Sequence, residues 1–72
     1  MKLIENLLYK KGSLSYEAFS KITNVPQTTL KDICNGNNKN PKLDTLIKLA
    51  NAFETNIHKL VFENLQEEDN KE

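Results

Sequence analysis

Residues 24–36 read NVPQTTLKDICNG, and within them Gln27 and Thr28 are followed one turn later by Lys31 and Asp32. At helical spacing these four side chains share a face. Amide, hydroxyl, ammonium and carboxylate groups in that arrangement can donate and accept toward the edges of base pairs, in a major groove wide enough for one helix. Proline and two threonines are poor helix formers, and a first turn of small polar groups placed against a surface other than water would account for them. Solvation of an ordinary helix start is the plainer reading of Gln27 and Thr28, and phosphate contact or plain exposure that of Lys31. Thr29 sits nearer the edge of the face, where a phosphate is its natural partner. The single cysteine, Cys34, adjoins Ile33 and reads as a small hydrophobe. The single histidine, His58, has no evident partner and reads as exposed. One cysteine, one histidine and scattered carboxylates supply no convergent acid, base and nucleophile. No Cys/His cluster has metal-ligand spacing. No catalytic residue, metal or cofactor is therefore expected.

The elements that would carry these groups are short helices. KLIENLLYKK (2–11) places Ile4, Leu7, Leu8 and Lys11 at helical spacing, with Lys10 and Lys11 suited to the C-terminal dipole and Gly12 as the stop. Ser15 is placed to cap a second helix, YEAFSKIT, whose Ala18, Phe19 and Ile22 share a face. Asn24 tolerates the positive φ that reverses the chain, Val25 plugs the turn, and Pro26 opens a third helix over 26–35. Leu30, Ile33 and Cys34 give that helix its inner face, and Asn35-Gly36 ends it. After the polar loop NGNNKNPK (35–42), a fourth helix with Leu43, Leu46, Ile47, Leu49, Ala50 and Phe53 is apolar over a wide arc and expected to be largely buried. Asn56 caps a fifth helix carrying Ile57, Leu60 and Val61. From Glu63 the pattern fades into NLQEEDNKE, expected to be a disordered acidic tail. The prediction is an all-α domain of five helices over residues 1–62, with a helix-turn-helix at the second and third, and a tail over 63–72.

The composition agrees with a small domain without staples. Only two glycines and two prolines punctuate the 72 residues, against a turn-rich β fold. No apolar run is long enough for a membrane span or signal peptide, and the lone cysteine suits a reducing cytoplasm. Net charge is zero, but residues 1–62 hold nine lysines against five carboxylates, and residues 63–72 five carboxylates against Lys71. The body is mildly basic and the tail acidic.

The run SYEAFSKITNVPQTTLKDICNG, followed by NPKLDTLIKLANAFETNIHKLV, resembles the lambda-repressor-like (Cro/CI, XRE) helix-turn-helix family over residues 3–61. The resemblance implies a five-helix DNA-binding domain from a bacterial or phage regulator, in which the second and third helices read double-stranded operator DNA. It implies base-reading roles for Gln27, Thr28, Lys31 and Asp32. Ser15 and Tyr16, at the start of the second helix, would abut the backbone, and Lys39 and Lys42 fall in a phosphate-facing loop. Asn24 stands where the family has glycine in the turn, Tyr16 where many members have glutamine, and Glu54 where glycine usually joins the last two helices. A contact at 16 would then come from a phenol hydroxyl. Asp32 is acidic at a reading position, able to accept from cytosine N4 but repelled by phosphate.

Val61, Phe62 and Leu65 have no obvious intramolecular partner in the pattern, and contiguous exposed apolar groups mark an interface. The family commonly dimerises near this end, so a homodimer through these residues is expected. The alternative folds Val61 and Phe62 back under the first helix. The leading expectation is a cytoplasmic, sequence-specific regulator, a repressor acting as a homodimer without a small-molecule effector domain. The competing one is a protein-interaction module, antitoxin-like or antirepressor-like, using the fifth helix and the acidic tail.

Overall fold

A computed structural model describes residues 1–69. Six helices follow one another: α1 (Leu3–Lys11), α2 (Tyr16–Thr23), α3 (Gln27–Cys34), α4 (Leu43–Ala52), α5 (Ile57–Phe62) and α6 (Leu65–Asp69), with no strand among the described residues. Local chemistry sets most of the boundaries. Ser15 Oγ accepts from Ala18 N at 3.1 Å and Asn56 Oδ1 from Lys59 N at 2.8 Å, each satisfying an amide that the first helical turn leaves unpaired. Asn24 adopts φ 59°, and its N–H returns to Ser20 O at 2.8 Å, so asparagine does provide the left-handed turn. Ser20 Oγ donates to Val25 O at 2.6 Å, holding the turn shut over the buried Val25. Glu54 also adopts a left-handed φ of 55°. The junction between α4 and α5 thus keeps a glycine-like geometry without glycine.

The core gathers Leu3 and Leu7 of α1, Phe19 of α2, Val25, Leu30 and Ile33 around α3, Leu49 and Ala50 of α4, and Leu60 of α5. Phe53 stacks on Phe19 with ring centroids 5.9 Å apart. In three helices the buried face differs from the one the spacing predicts. In α1 it runs through Leu3, Asn6 and Leu7, leaving Ile4 and Leu8 exposed. In α2, Ile22 is 56 % exposed while Thr23 is buried, its hydroxyl bonded to Phe19 O at 2.9 Å. In α4, Leu43 and Ile47 remain exposed. Polar residues that satisfy themselves on a backbone carbonyl can occupy the inside at little cost, and periodicity alone cannot see them.

The largest departure concerns the acidic segment. Of the segment expected as a disordered tail, residues 65–69 form α6, which docks on α1; residues 70–72 lie outside the described residues. Leu65 is buried in the core at 4 % exposure. The buried Asn6 supplies the polar anchor, its Nδ2 donating to Leu60 O (2.6 Å) and Glu63 O (2.8 Å) and its Oδ1 accepting from Leu65 N (3.0 Å). Asp69 accepts from Tyr9 (2.8 Å) and Lys10 (2.9 Å), and Glu68 from Lys59 (2.8 Å). No helix among the described residues is long and apolar enough to cross a membrane.

Candidate nucleic-acid interface

Leu30 and Ile33 point α3 inward, both fully buried, and that rotation decides what the helix shows outside. Gln27, Thr28 and Lys31 are exposed; Thr29 and Asp32 are half-buried at the margins. Pro26 precedes the helix and no side chain caps it, so its first amides remain available to an anion. The Asp32 carbonyl accepts from Asn37 N (2.9 Å) and Asn38 N (3.0 Å), which ties the following loop to the helix while Gly36 turns at φ 79°.

Of the five residues expected at phosphates, Thr29 and Lys42 lie together beside the start of this helix, and the Tyr16 ring is 5.7 Å from Lys31 Nζ. Thr29 and Lys42 line one groove of about 290 Å³ between the starts of α3 and α4, together with Pro26, Asn38, Thr45, Lys48 and the carboxylate of Asp44, which pairs with Lys48. Ser15 is exposed and uses its oxygen as a cap acceptor, leaving its hydroxyl proton free to donate. Lys39 is exposed but borders a different, more apolar groove of about 400 Å³, with Met1, Leu3, Ile4, Ile33 and Gly36. Tyr16 is the fifth, and its surroundings differ from expectation. It is half-buried, and burial first, then the adjoining Cys34 thiol, raises its phenol above the ordinary range. Burial likewise pushes the Cys34 thiol up, against the opposing pull of Tyr16 and Lys11, which disfavours the reactive thiolate.

The lysines sort by partner. Lys2 pairs with Glu5 (3.4 Å), Lys10 with Asp69 (2.9 Å), Lys48 with Asp44 (3.3 Å) and Lys59 with Glu68 (2.8 Å). Lys11, Lys21, Lys31, Lys39 and Lys42 have no ion-pair partner among the described residues. Two of the three acids of α6, Glu68 and Asp69, are spent on Lys59 and Lys10. The lysine pair at the end of α1 is split by this. Lys10 turns to α6, while Lys11 places Nζ 4.7 Å from the centroid of the Tyr16 ring. Nothing local in the sequence distinguishes the two; only the positions of Tyr16 and Asp69 do.

At the other end, the expected interface of Val61, Phe62 and Leu65 is corrected. Val61 and Leu65 are buried, at 7 % and 4 %, because the Lys2 amide closes on Val61 O at 2.6 Å and α6 inserts Leu65 under α1. Phe62 alone stays outside, 60 % exposed, its ring 5.4 Å from that of His58. His58 is exposed but has a neighbour, its Nδ1 3.3 Å from Glu63 Oε2.

Two short helices joined by a tight left-handed turn, the second presenting an exposed polar face flanked by unpaired lysines, define a DNA-binding helix-turn-helix protein. The chain belongs to the Cro/CI (XRE-type) helix-turn-helix family: the family model described as "Helix-turn-helix" matches residues 7–60, well over half its length. No curated protein and no solved structure matches it.

Proposed function

We propose that the protein is a sequence-specific transcriptional regulator, a repressor that binds double-stranded operator DNA as a homodimer with α3 in the major groove. The observation that carries this reading is the outer face of α3, where burial of Leu30 and Ile33 leaves Gln27, Thr28 and Lys31 exposed, with neither Lys31 nor the nearby Lys42 holding an ion-pair partner among the described residues. Gln27 and Thr28 read base edges, with Asp32 one turn on, while Lys31 on the same face reaches either a base edge or the adjoining phosphate. Ser15, Thr29, Lys39 and Lys42 hold the backbone and fix the register. Pairing of protomers through a surface centred on Phe62 would set two copies of α3 about one DNA turn apart, roughly 34–36 Å. The protein works in the cytoplasm and is not an enzyme; its single cysteine and single histidine lie on different helices, α3 and α5.

The interaction-module reading uses the fifth helix and the acidic tail, and of that tail Glu68 and Asp69 are bonded within the chain. The test is sedimentation of the protein with a duplex that it enriches from a random pool. Two protomers on a two-fold symmetric site are expected, with transcription from a promoter overlapping that site reduced. A single protomer on an asymmetric site would remove the homodimer, and an unchanged or raised transcript the repressor.

A further inference from the structure

We propose that Lys11, Tyr16 and Lys31 form a clamp for the DNA backbone phosphates, in which the two ammonium groups are the ligands and the Tyr16 ring positions them. The inference rests on the DNA-binding reading and deepens it, since Lys11 has no role there. Three elements converge on the clamp: Lys11 ends α1, Tyr16 begins α2 and Lys31 lies on the outer face of α3. Lys11 Nζ is 4.7 Å and Lys31 Nζ 5.7 Å from the Tyr16 ring centroid, both within the roughly 6 Å over which a ring quadrupole attracts a cation.

The contrast with Lys10 separates this cluster from ordinary cation–aromatic packing. Lys10 also lies near rings, 5.4 Å from that of Tyr9 and 6.0 Å from that of Phe53, but its charge is met by Asp69 at 2.9 Å. Lys11 and Lys31 share a ring and have no carboxylate partner among the described residues. Two like charges drawn to one ring repel each other, and the ring does not neutralise them. An anion completes the arrangement. Because Lys31 stands on the same helix as Gln27 and Thr28, that anion is the phosphodiester flanking the bases they face. Tyr16 acts through its ring, which both ammonium groups approach, and is a positioning residue, not a ligand. Restricting two long side chains before binding lowers the ordering cost at the interface, and contacts of this kind set register, not sequence preference.

The test uses the full chain and a duplex that the unaltered protein enriches from a random pool, with affinity followed over a series of salt concentrations. Lys11→Gln and Lys31→Gln should each flatten the slope of log K against log salt by about 0.9, the loss of one phosphate contact. Lys10→Gln should leave the slope unchanged. Tyr16→Phe should bind like the unaltered protein, and Tyr16→Leu about fivefold more weakly. In the free protein, Tyr16→Leu should also abolish the upfield ring-current shift of the Lys11 ε-methylene protons in the NMR spectrum, while Tyr16→Phe keeps it. A Lys11→Gln slope equal to that of the unaltered protein overturns the clamp, as does a Tyr16→Phe protein as weak as Tyr16→Leu. In both cases the unaltered protein still binds, so the DNA-binding reading survives. If the unaltered protein enriches no duplex at low salt, both fall.

Discussion

Asn6 Oδ1 accepts the backbone N–H of Leu65 at 3.0 Å across 59 positions of sequence, and this bond joins the first helix to the last. The same amide donates to Leu60 O and Glu63 O, so one buried side chain satisfies the end of α5 and the start of α6 together. Asn6→Ala strands three backbone groups and should cost about 2–4 kcal/mol, as buried polar groups lose their partners. Leu65→Ala, which opens a cavity, should cost a similar amount. Urea denaturation checks both. Removal of residues 63–72 should therefore destabilise the whole domain, a different outcome from the harmless truncation a disordered tail would allow.

Glu54 holds φ 55° with a Cβ, in a conformation that costs an L-residue about 1–2 kcal/mol. Its geometry is fixed from both sides, by Glu54 N on Asn51 O (3.2 Å) and Thr55 N on Ala50 O (2.9 Å). Glu54→Gly should stabilise the protein by roughly 0.5–1 kcal/mol after the added freedom of the unfolded chain is subtracted. A thermal midpoint several degrees higher is the expected reading.

The docking of α6 should respond to pH through Asp69. Hydrogen bonds from Lys10 and then Tyr9 hold its carboxyl below the ordinary 3.8. A group whose folded value is depressed contributes stability above its unfolded value and loses it as pH falls through the folded one. The contact should be intact at neutral pH and weaken in acid, below about pH 4. The Tyr9 phenol is raised, chiefly by its bond to Asp69, so its share is lost only as pH rises past 10. Tyr9 ring signals followed by NMR should show the acid step, and Asp69→Asn should abolish it.

Ile22 and Phe19 lie on the same helix, and their spacing places both on one buried face, yet Ile22 is exposed. Ile22→Ser should change stability by no more than about 0.5 kcal/mol, as for an exposed position. Phe19→Ala should cost about 3–5 kcal/mol. Chemical denaturation of the two variants side by side distinguishes the observed rotation of α2 from the one its spacing predicts.

What could be read from the sequence was local. Ser15, Asn24, Val25, Asn56 and Gly36 do what their own backbone requires, and each was assigned from its immediate neighbours. The exposed face of α3 was legible for the same reason, because Leu30 and Ile33 leave Gln27, Thr28 and Lys31 outside. The rest depends on residues far away in sequence. Asn6 looks like a surface residue until residues 60–65 return to meet it. The acids at 68 and 69 look like a solvated tail until Tyr9, Lys10 and Lys59 are seen to bind them. Lys11 could not be told from Lys10, since their difference lies in which aromatic ring or carboxylate each one reaches.

The central claim is that the outer face of α3 reads base pairs. It is tested most directly by enriching random duplexes, followed by sequencing, with the unaltered protein and with Gln27→Ala/Thr28→Ala in parallel at two salt concentrations. The expected result is a two-fold symmetric sequence that the double variant no longer selects, although it still binds duplex DNA at low salt through its lysines. If both proteins enrich the same sequence equally, Gln27 and Thr28 do not read bases and the claim is contradicted.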